Sequence, residues 1–359
     1  MIVCSGVIDN GWNNMKTIAF CNFHDFLNRD NFMFEHADSL IGDDLLRPFL
    51  ELKKYALKQN VRVATVDVVE VADADAVVFV DMPDTDNPYF TACLAKKIPI
   101  YLIMLESKIV RKDNYVTDNH RCFTKIFTYD DSLVDNVKYF KINYAFSFPV
   151  TIEKDLARKK KLCTLIAGNK KVRHQLSLYG EREKAIRWFE EHHPDDFEFY
   201  GVGWDEYVFP DIRFLKNLNR LKLLKKILAP SIPSYRGRVV RKRDVLGAYR
   251  FAICYENVKN IPGYITEKIF DCFFAGTVPV YLGANNISQH IPSACFVDRR
   301  EYGSYEELFD FLNTMSDETY LRYLENIEAF LKSEKSYPFT CDCFAKTIID
   351  GIISATMKD

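Results

Sequence analysis

Glu267 and Lys268 stand side by side at the start of an apolar segment, IFDCFFAG, whose periodicity predicts a helix. Thr266 is a favourable N-cap for this helix and Gly276 a favourable stop, so we expect it to span 267–275. A strand-like run precedes the helix and another follows it. The two charges therefore lie where the carboxyl end of a strand meets the start of a helix, and backbone N–H groups at such a point favour an anion.

The two charges also indicate which anion this loop could bind. Glu267 agrees with the helix dipole, whereas Lys268 opposes it by about 0.3–1 kcal/mol if it is unpaired. A diphosphate would neutralise Lys268, and Glu267 could then accept hydrogen bonds from the hydroxyls of a sugar or a ribose. Gly263 would let the backbone approach such a ligand, and Tyr264 would offer a ring edge or a stacking face. The same spacing also fits a surface pair on an ordinary crossover helix.

The elements that must position this loop alternate between strand and helix along the chain. In the first half, β-branched runs and amphipathic stretches predict strands at 16–23, 61–68, 76–81, 98–105 and 124–134, and helices at 43–59 and 87–96. In the second half, we expect strands at 161–168, 197–203, 249–255 and 277–282, and helices at 181–193, 267–275 and about 304–334. Strands separated by helices predict parallel, doubly wound sheets of the α/β class.

This alternation divides the chain into two Rossmann-like domains. We expect the first to cover 1–150, the second 151–335, and a tail over 336–359 to pack back on the first. The polar, charged stretch at 150–161 is the predicted linker. The carboxyl ends of both sheets would then face one cleft, which is where such folds bind their ligands.

The bulk composition excludes several other classes of protein. A chain of 359 residues, 48% of them hydrophobic, is long enough for two buried cores. The formal net charge of −2 argues against a general nucleic-acid binder. No apolar run approaches the roughly 18–20 residues of a membrane span, and the N-terminus lacks the pattern of a signal peptide. We therefore expect a cytoplasmic protein whose ten cysteines are reduced.

The stretch YRFAICYENVKNIPGYITEKIFDCFFAGTVPVYLG (249–283) resembles the signature of the family 10 glycosyltransferases, the α-1,3/1,4-fucosyltransferases, in their bacterial type. That signature is a Tyr-Lys-Phe strand, Phe-Glu-Asn, a short loop, Tyr-(Ile/Val)-Thr-Glu-Lys, a helix and Val-Pro-Val. The likeness continues through IPSACFVDRREYGSYEELFDFL (291–312). It is strong over roughly 235–335, loose over 98–205, and limited to architecture over 1–97.

The resemblance implies a two-domain GT-B fold and a specific activity. Such enzymes move L-fucose from GDP-β-L-fucose, with inversion, to a hydroxyl of a glycan. The acceptor would be of the N-acetyllactosamine type, or a lipopolysaccharide or capsule oligosaccharide. Two alternatives stay open: a transferase that uses another GDP-sugar, and a non-catalytic glycan-binding relative.

An inverting displacement needs a base for the acceptor hydroxyl and stabilisation of the departing diphosphate. The family's base follows a strand of the first domain, a place that Glu106 in LIMLESK occupies here. Lys108 stands where the family often has proline, and a lysine close to Glu106 would lower its basicity. A solvated loop acid is the alternative interpretation of Glu106.

The resemblance also implies the residues that bind the donor. Asn257, Glu267 and Lys268 carry over directly from the signature, and Tyr264 is a further donor-binding candidate within it. The family's phosphate-binding arginine corresponds best to Arg182 in GEREKAIRWF, and Arg173 in AGNKKVRHQLSLYG is the competing candidate. Glu256 and Lys242 are further candidates at the donor site.

Metal-binding patterns are weak in this sequence. Asp73 and Asp75 have the D-x-D form of some metal sites, but they precede a strand, so we interpret them as a solvated turn. Asp84 and Asp86 follow that strand and resemble a helix cap, with contact to the acceptor as the alternative. No His or Cys cluster has zinc spacing. Cationic side chains can neutralise a diphosphate, so no metal cofactor is predicted to be essential, although stimulation by a divalent ion stays open.

A basic segment lies between Asp211 and Asp244 and contains eleven Lys and Arg residues but no acidic one. Part of it, RFLKNLNRLKLLKKIL (213–228), places apolar side chains near helical spacing, opposite basic ones. A segment of this kind over 213–243 could bind an anionic bilayer, at the cytoplasmic face of the inner membrane. The alternative is an inserted helix that packs on the second domain. No recognition motif accompanies the charge, so nucleic acid is not a predicted partner.

Overall fold

The structure is a computed structural model that describes residues 15–38, 44–207, 209, 216–229 and 231–356. Within these ranges the chain forms two parallel β-sheets with helices packed against them. The predicted α/β fold with doubly wound parallel sheets is confirmed. None of the helices in the described ranges is both long and apolar enough to cross a bilayer.

The first domain is built on a sheet of short runs rich in Val, Ile and Phe. Its strands are β1 (Lys16–Asn22), β2 (Val61–Thr65), β3 (Ala76–Val80), β4 (Ile100–Met104), β5 (Lys125–Thr128) and β6 (Tyr139–Lys141). Its helices are α1 (Asp25–Asn28), α2 (Phe32–Glu35), α3 (Arg47–Lys58) and α4 (Pro88–Lys96). The strand order is β2-β1-β3-β4-β5-β6. Every residue of β3 and β4 is buried, as expected for central strands that are covered on both faces.

The second domain repeats this plan with a smaller sheet. Its strands are β7 (Lys161–Ile166), β8 (Phe197–Tyr200), β9 (Tyr249–Tyr255), β10 (Val278–Leu282) and β11 (Val297–Asp298). The helices that follow in the chain are α5 (Tyr179–His192), α6 (Lys222–Ile227), α7 (Lys242–Leu246), α8 (Glu267–Phe274), α9 (Ile287–His290), α10 (Tyr305–Thr314), α11 (Asp317–Leu331) and α12 (Cys341–Thr356). The strand order is β11-β10-β9-β7-β8.

Every predicted strand is present, but two edge strands escaped prediction. β6 has three residues and β11 has two, which is too short for a periodic pattern. The predicted helix over about 304–334 is in fact two helices, because Ser316 interrupts it and caps α11 by accepting a hydrogen bond from the backbone N–H of Thr319. The predicted helix over 43–59 corresponds to α3, and residue 43 lies outside the described ranges.

The last helix, α12, packs against α3 and so belongs to the core of the first domain. Leu52 of α3 shares this core with the apolar face of α12. The buried side chains that α12 contributes are Phe344, Ala345, Ile348, Ile349 and Ile352. In addition, Lys125 at the start of β5 donates a hydrogen bond to the carbonyl oxygen of Gly351 at 2.8 Å. The chain thus crosses from the first domain to the second and returns.

Aromatic side chains hold the two domains together beside the cleft. Tyr264, in the loop between β9 and α8, packs on Tyr129 of the first domain with ring centroids 5.0 Å apart. Gly263 has φ of +77°, and a Cβ there would lie 2.3 Å from the carbonyl oxygen of Tyr129, so only glycine allows this approach. Phe146 stacks on Phe270 of α8 with centroids 4.6 Å apart.

A polar cluster fastens the same interface. Asp131 of the first domain lies 2.7 Å from His290 Nε2 and accepts a hydrogen bond from Asn286 Nδ2 at 2.8 Å. Lys141 pairs with its other carboxylate oxygen at 2.5 Å. Burial by itself would raise the pKa of Asp131, but the bonds from His290 and Lys141 lower it well below the usual range. The β9–α8 loop is therefore held against the end of β5.

Candidate functional site

The candidate site lies where the loop after β4 meets the loop between β9 and α8. The first loop carries Glu106, and the second carries Asn257 and leads to Glu267 and Lys268 at the start of α8. The charges of both Glu267 and Lys268 are close enough to Glu106 to act on its pKa. The fold therefore brings the predicted base and the predicted donor-binding pair together from opposite domains.

A buried carboxylate, Asp81, holds the Glu106 loop in place. Asp81 follows β3 and is only 2% exposed. Its Oδ1 accepts hydrogen bonds from the backbone N–H groups of Leu105 and Glu106, both at 2.8 Å, and from the side-chain amide of Asn114 at 2.6 Å. The sequence analysis missed this residue. An acidic side chain directly after an entirely apolar strand was the signal that could have found it.

The surroundings of Glu106 favour its neutral form. Burial raises the pKa of Glu106 to about 7, and the negative charge of Asp81 acts in the same direction. The cations that chiefly oppose this rise are Lys170 and Lys268, rather than the adjacent Lys108. Their effect is smaller than that of burial. Glu106 is therefore a carboxyl group that can exchange a proton near neutral pH.

A second buried carboxylate, Glu256, fixes Lys268. Glu256 is 0% exposed and accepts hydrogen bonds from Thr266 N at 2.8 Å and from Thr266 Oγ1 at 2.7 Å. Lys268 Nζ donates to Glu256 at 3.1 Å, to Thr266 Oγ1 at 2.8 Å and to Glu267 Oε1 at 3.5 Å. The anionic partner that the position of Lys268 suggested is therefore present inside the protein, as the carboxylate of Glu256. Glu256 itself has no surface with which to contact a donor, so its role is to position Lys268.

The side chains of Glu267 and Lys268 are the accessible part of this network, with 35% and 20% of their surface exposed. Burial raises the pKa of Glu267. The positive charges of Lys268 and Lys242 lower it by a larger amount, so the net pKa lies well below the usual range. Lys242 Nζ lies 3.6 Å from Glu267 and 2.8 Å from Asp271. Lys242 therefore neutralises the carboxylates of α8 rather than reaching a ligand by itself. The result is a fixed anion beside a fixed cation at the mouth of the cleft.

Arg182 lies beneath the site and positions Asn257. It is 5% exposed, and its Nε and Nη2 donate to the carbonyl oxygen of Tyr255 at 3.1 and 2.6 Å. Nη2 also donates to Asn257 Oδ1 at 3.0 Å. Because Nε and Nη2 already donate to these groups, this edge of the Arg182 guanidinium is not available for the phosphate contact that we expected from the sequence.

The loop after β7 offers other cations to the cleft. Lys170, Lys171 and Arg173 are all exposed on it. Lys171 forms an ion pair with Glu183, whereas Arg173 has no ion pair with any described residue. The charge of Lys170 acts on Glu106, which places this loop at the same cleft. Of the two arginines that the resemblance offered for a phosphate, Arg173 is exposed whereas Arg182 is buried.

Contacts between the domains replace the ligand contacts expected of Tyr264 and Gly263. Tyr264 is 1% exposed, and its ring is enclosed by Tyr129 and Tyr144 at centroid distances of 5.0 and 6.2 Å. It has no face open to a nucleotide. Gly263 allows a close approach as expected, but the group that approaches is the backbone of Tyr129.

The acidic pairs of the first domain have structural partners. Asp75 accepts a backbone N–H at the start of β1 at 2.7 Å, in agreement with a turn at the amino end of the sheet. Asp84 pairs with Arg111 at 2.6 Å. The cap of α4 is Asn87, which accepts two backbone N–H groups, so the predicted cap over Asp84 and Asp86 is wrong. Over the described ranges, no group of three or more His, Cys, Asp and Glu side chains could hold a metal ion.

Residues 233–344 match the family model for the C-terminal domain of glycosyltransferase family 10 (fucosyltransferase). This match covers 112 of the 359 residues of the chain. It contains the β9–α8 loop, Glu267 and Lys268, and ends at the start of α12. The resemblance drawn from the 249–283 signature is thereby confirmed.

Three similar proteins are fucosyltransferases from a bacterium, a plant and human. The chain is 32% identical over 74 residues to the alpha-(1,3)-fucosyltransferase FucT of Helicobacter pylori, an alignment that covers 21% of this chain and 15% of that protein. It is 33% identical over 70 residues to the alpha-(1,4)-fucosyltransferase of Arabidopsis thaliana, covering 20% and 17%. With the human 4-galactosyl-N-acetylglucosaminide 3-alpha-L-fucosyltransferase 9 it shares 27% over 174 residues, covering 47% and 38%. The alignments thus span less than half of each relative.

Solved structures extend the likeness in fold to nearly the whole chain. An alpha1,3-fucosyltransferase with GDP-fucose superposes with a TM-score of 0.53 at 12% identity, over 96% of this chain and 91% of that one. HepE of Anabaena in complex with UDP-glucose gives a TM-score of 0.54 at 12% identity, over 95% and 100%. These proteins have the GT-B glycosyltransferase fold, and this chain shares it.

The raised pKa of Glu106 leads to a prediction about stability. Because the folded protein holds this proton more tightly than the unfolded chain, ionising Glu106 costs stability as the pH rises from about 4.5 to about 7. Glu106→Gln stays neutral, so we expect it to be more stable than the wild type at pH 8 and no more stable at pH 4. Urea denaturation at both pH values measures this. The exposed Glu70→Gln is the control, and an identical pH dependence in all three proteins would contradict the buried site.

Proposed function

We propose that the protein is an inverting fucosyltransferase that moves L-fucose from GDP-β-L-fucose to a hydroxyl of a glycan acceptor. The observation that carries this proposal is that Glu106 of the first domain lies near enough to the Glu267–Lys268 pair of the second domain for both charges to act on its pKa. One side can thus supply a base and the other a cation for a leaving group, which is what an inverting displacement requires.

Lys268 binds the diphosphate of the donor in this proposal. Its contact with Glu267, at 3.5 Å, is the longest of its three hydrogen bonds and is the one that a phosphate oxygen would replace. Glu267 is then released to accept hydrogen bonds from hydroxyls of the ribose or the sugar. Lys170 and Arg173 add positive charge from the loop after β7. Cations from two elements thus neutralise the diphosphate, and no metal ion is required.

Glu106 is the proposed base. A pKa of about 7 leaves a substantial fraction of Glu106 ionised at neutral pH, yet makes the carboxylate a stronger base than a solvated one. When an acceptor hydroxyl attacks the anomeric carbon, Glu106 takes its proton while the bond to the GDP oxygen breaks on the opposite face. The acceptor would be an N-acetyllactosamine-type glycan, or part of a lipopolysaccharide or capsule, and would lie against the first domain. A donor with another sugar on GDP, or glycan binding without transfer, is the rival outcome.

Removal of the cation at position 268 tests the donor site. Lys268→Ala should weaken GDP binding about ten- to hundredfold, because it removes a charge-assisted contact and leaves Glu256 buried without its cation. Isothermal titration with GDP and GDP-fucose measures the change, with the exposed Lys96→Ala as the control. Affinity within twofold of the wild type would remove Lys268 from the donor site. If the folded wild type binds neither compound, with or without acceptor glycans, the transferase proposal fails.

The base is tested separately through the rate of transfer. Glu106→Gln should bind GDP like the wild type but transfer fucose to N-acetyllactosamine about 10²- to 10⁴-fold more slowly. Transfer by the wild type should rise with pH and level off above pH 7, since the base acts when ionised. Initial rates at several pH values measure both effects. If Glu106→Gln transfers fucose at the wild-type rate, the base is another group.

We further propose that the basic segment contacts an anionic membrane surface on the cytoplasmic side. Leu223 and Ile227 on α6 are 75% and 70% exposed, and Leu221 just before α6 is 51% exposed. Arg220 and Arg238 of the same segment are also exposed. Exposed leucine and isoleucine beside cations match an anionic bilayer interface, where apolar side chains and positive charge both gain.

Vesicle flotation tests this surface. The wild type should float with vesicles that contain phosphatidylglycerol and remain at the bottom with pure phosphatidylcholine. The double variant Leu223→Asp, Ile227→Asp should lose flotation. Val137→Asp, which changes a residue that is 79% exposed in the first domain, is the matched control. Equal flotation of all three proteins would exclude α6 as the contact.

A further inference from the structure

A cavity of about 140 Å³ opens at the carboxyl ends of β1 and β3, on the first-domain side of the cleft. It is separate from the Glu267–Lys268 pair and belongs to a different sheet. Its wall is mostly polar, and the residues of that wall that matter here are Asn22, Asp25, Asp81, Asp84 and Arg111. Its volume is below the roughly 300–1,000 Å³ of pockets for drug-sized ligands, so a ligand group would be small.

Two buried polar side chains of the cavity wall have hydrogen-bonding atoms without a partner among the described residues. Asp81 Oδ1 accepts the hydrogen bonds from the Glu106 loop and from Asn114, whereas no described residue donates to its Oδ2. Asn22 is 5% exposed and uses its Oδ1 to accept the backbone N–H of His24 at 2.9 Å, and the described residues offer no partner to its Nδ2. Both residues line the cavity. A buried acceptor and a buried donor are therefore available to a ligand at fixed positions.

The charges of the wall indicate what kind of ligand fits. Asp25, Asp81 and Asp84 bring carboxylates to the cavity, and Arg111 is its one cation in the described wall. The guanidinium of Arg111 is already bound to Asp84 and to the carbonyl oxygen of Met82. An anionic group would thus meet carboxylates without a free cation. A neutral group with many hydroxyls would find carboxylate acceptors and an amide donor.

We propose that this cavity binds one uncharged sugar residue of the acceptor, and that Asp81 joins that residue to the loop that carries Glu106. The proposal rests on the proposed transferase function and adds the place and the charge of the acceptor. Asp81 Oδ2 accepts a hydroxyl of the bound sugar while Oδ1 holds the backbone of Glu106. Asp81 thereby fixes the position of the acceptor relative to Glu106. A sugar that carries a carboxylate is disfavoured by repulsion from the wall.

The experiment compares two exposed aspartates of the first domain that differ in their relation to the cavity. Asp25 lines the cavity, whereas Asp73, in the turn before β3 at the amino end of the sheet, does not. Binding of N-acetyllactosamine to the GDP-saturated protein is followed by ligand-observed NMR. Asp25→Ala should weaken this binding about tenfold through the loss of a carboxylate acceptor, while Asp73→Ala should leave it unchanged. GDP affinity should be the same in all three proteins.

A charge comparison completes the test on the wild type. Methyl β-galactoside should compete with N-acetyllactosamine, and methyl β-glucuronide, a similar ring with a carboxylate, should not. Equal effects of Asp25→Ala and Asp73→Ala, or competition by the glucuronide as strong as by the galactoside, would overturn the cavity as the acceptor site. Failure of GDP binding in the wild type is a different result, because it removes the transferase function on which the proposal rests.

Discussion

The buried ion pair between Glu256 and Lys268 is the interaction on which the rest of the site depends. A carboxylate that is 0% exposed must be paired and hydrogen-bonded, and Thr266 and Lys268 together do this. This requirement holds the ammonium group over the start of α8, where the helix dipole disfavours it. It also places Glu267 beside a cation that keeps it ionised. The arrangement is therefore set before any ligand arrives, which reduces the cost of ordering the site when a donor binds.

The second constraint is the contact between domains that brings Glu106 opposite this pair. The rings of Tyr129 and Tyr264, and the approach that Gly263 allows, seat the β9–α8 loop on the end of β5. The Glu106 loop is held from its own side by Asp81. Both sides of the cleft thus use a buried carboxylate to orient an accessible charged side chain. In addition, burial raises the pKa of Glu106 into the neutral range.

The sequence predicts the scaffold and the accessible charges well, and it predicts the supporting contacts poorly. Parallel strands are buried on both faces, so their apolar runs stand out, and the start of α8 follows from Thr266 and the apolar stretch behind it. The anchoring of Arg182 on the Tyr255 carbonyl and the enclosure of Tyr264 depend on partners far away in the chain. No local spacing encodes such partners. The family resemblance marked both residues, but it could not separate an accessible side chain from a buried one that supports its neighbours.

A crystal structure of the protein with GDP tests the central claim most directly. We expect a phosphate oxygen within hydrogen-bonding distance of Lys268 Nζ, Glu267 turned away from this ammonium group, and Glu256 still bonded to it. The side of the diphosphate that carries the sugar in the donor should face Glu106 across the cleft. GDP bound by Arg173 and its neighbours alone, with the Lys268 hydrogen bonds to Glu256, Thr266 and Glu267 all intact, would contradict the claim.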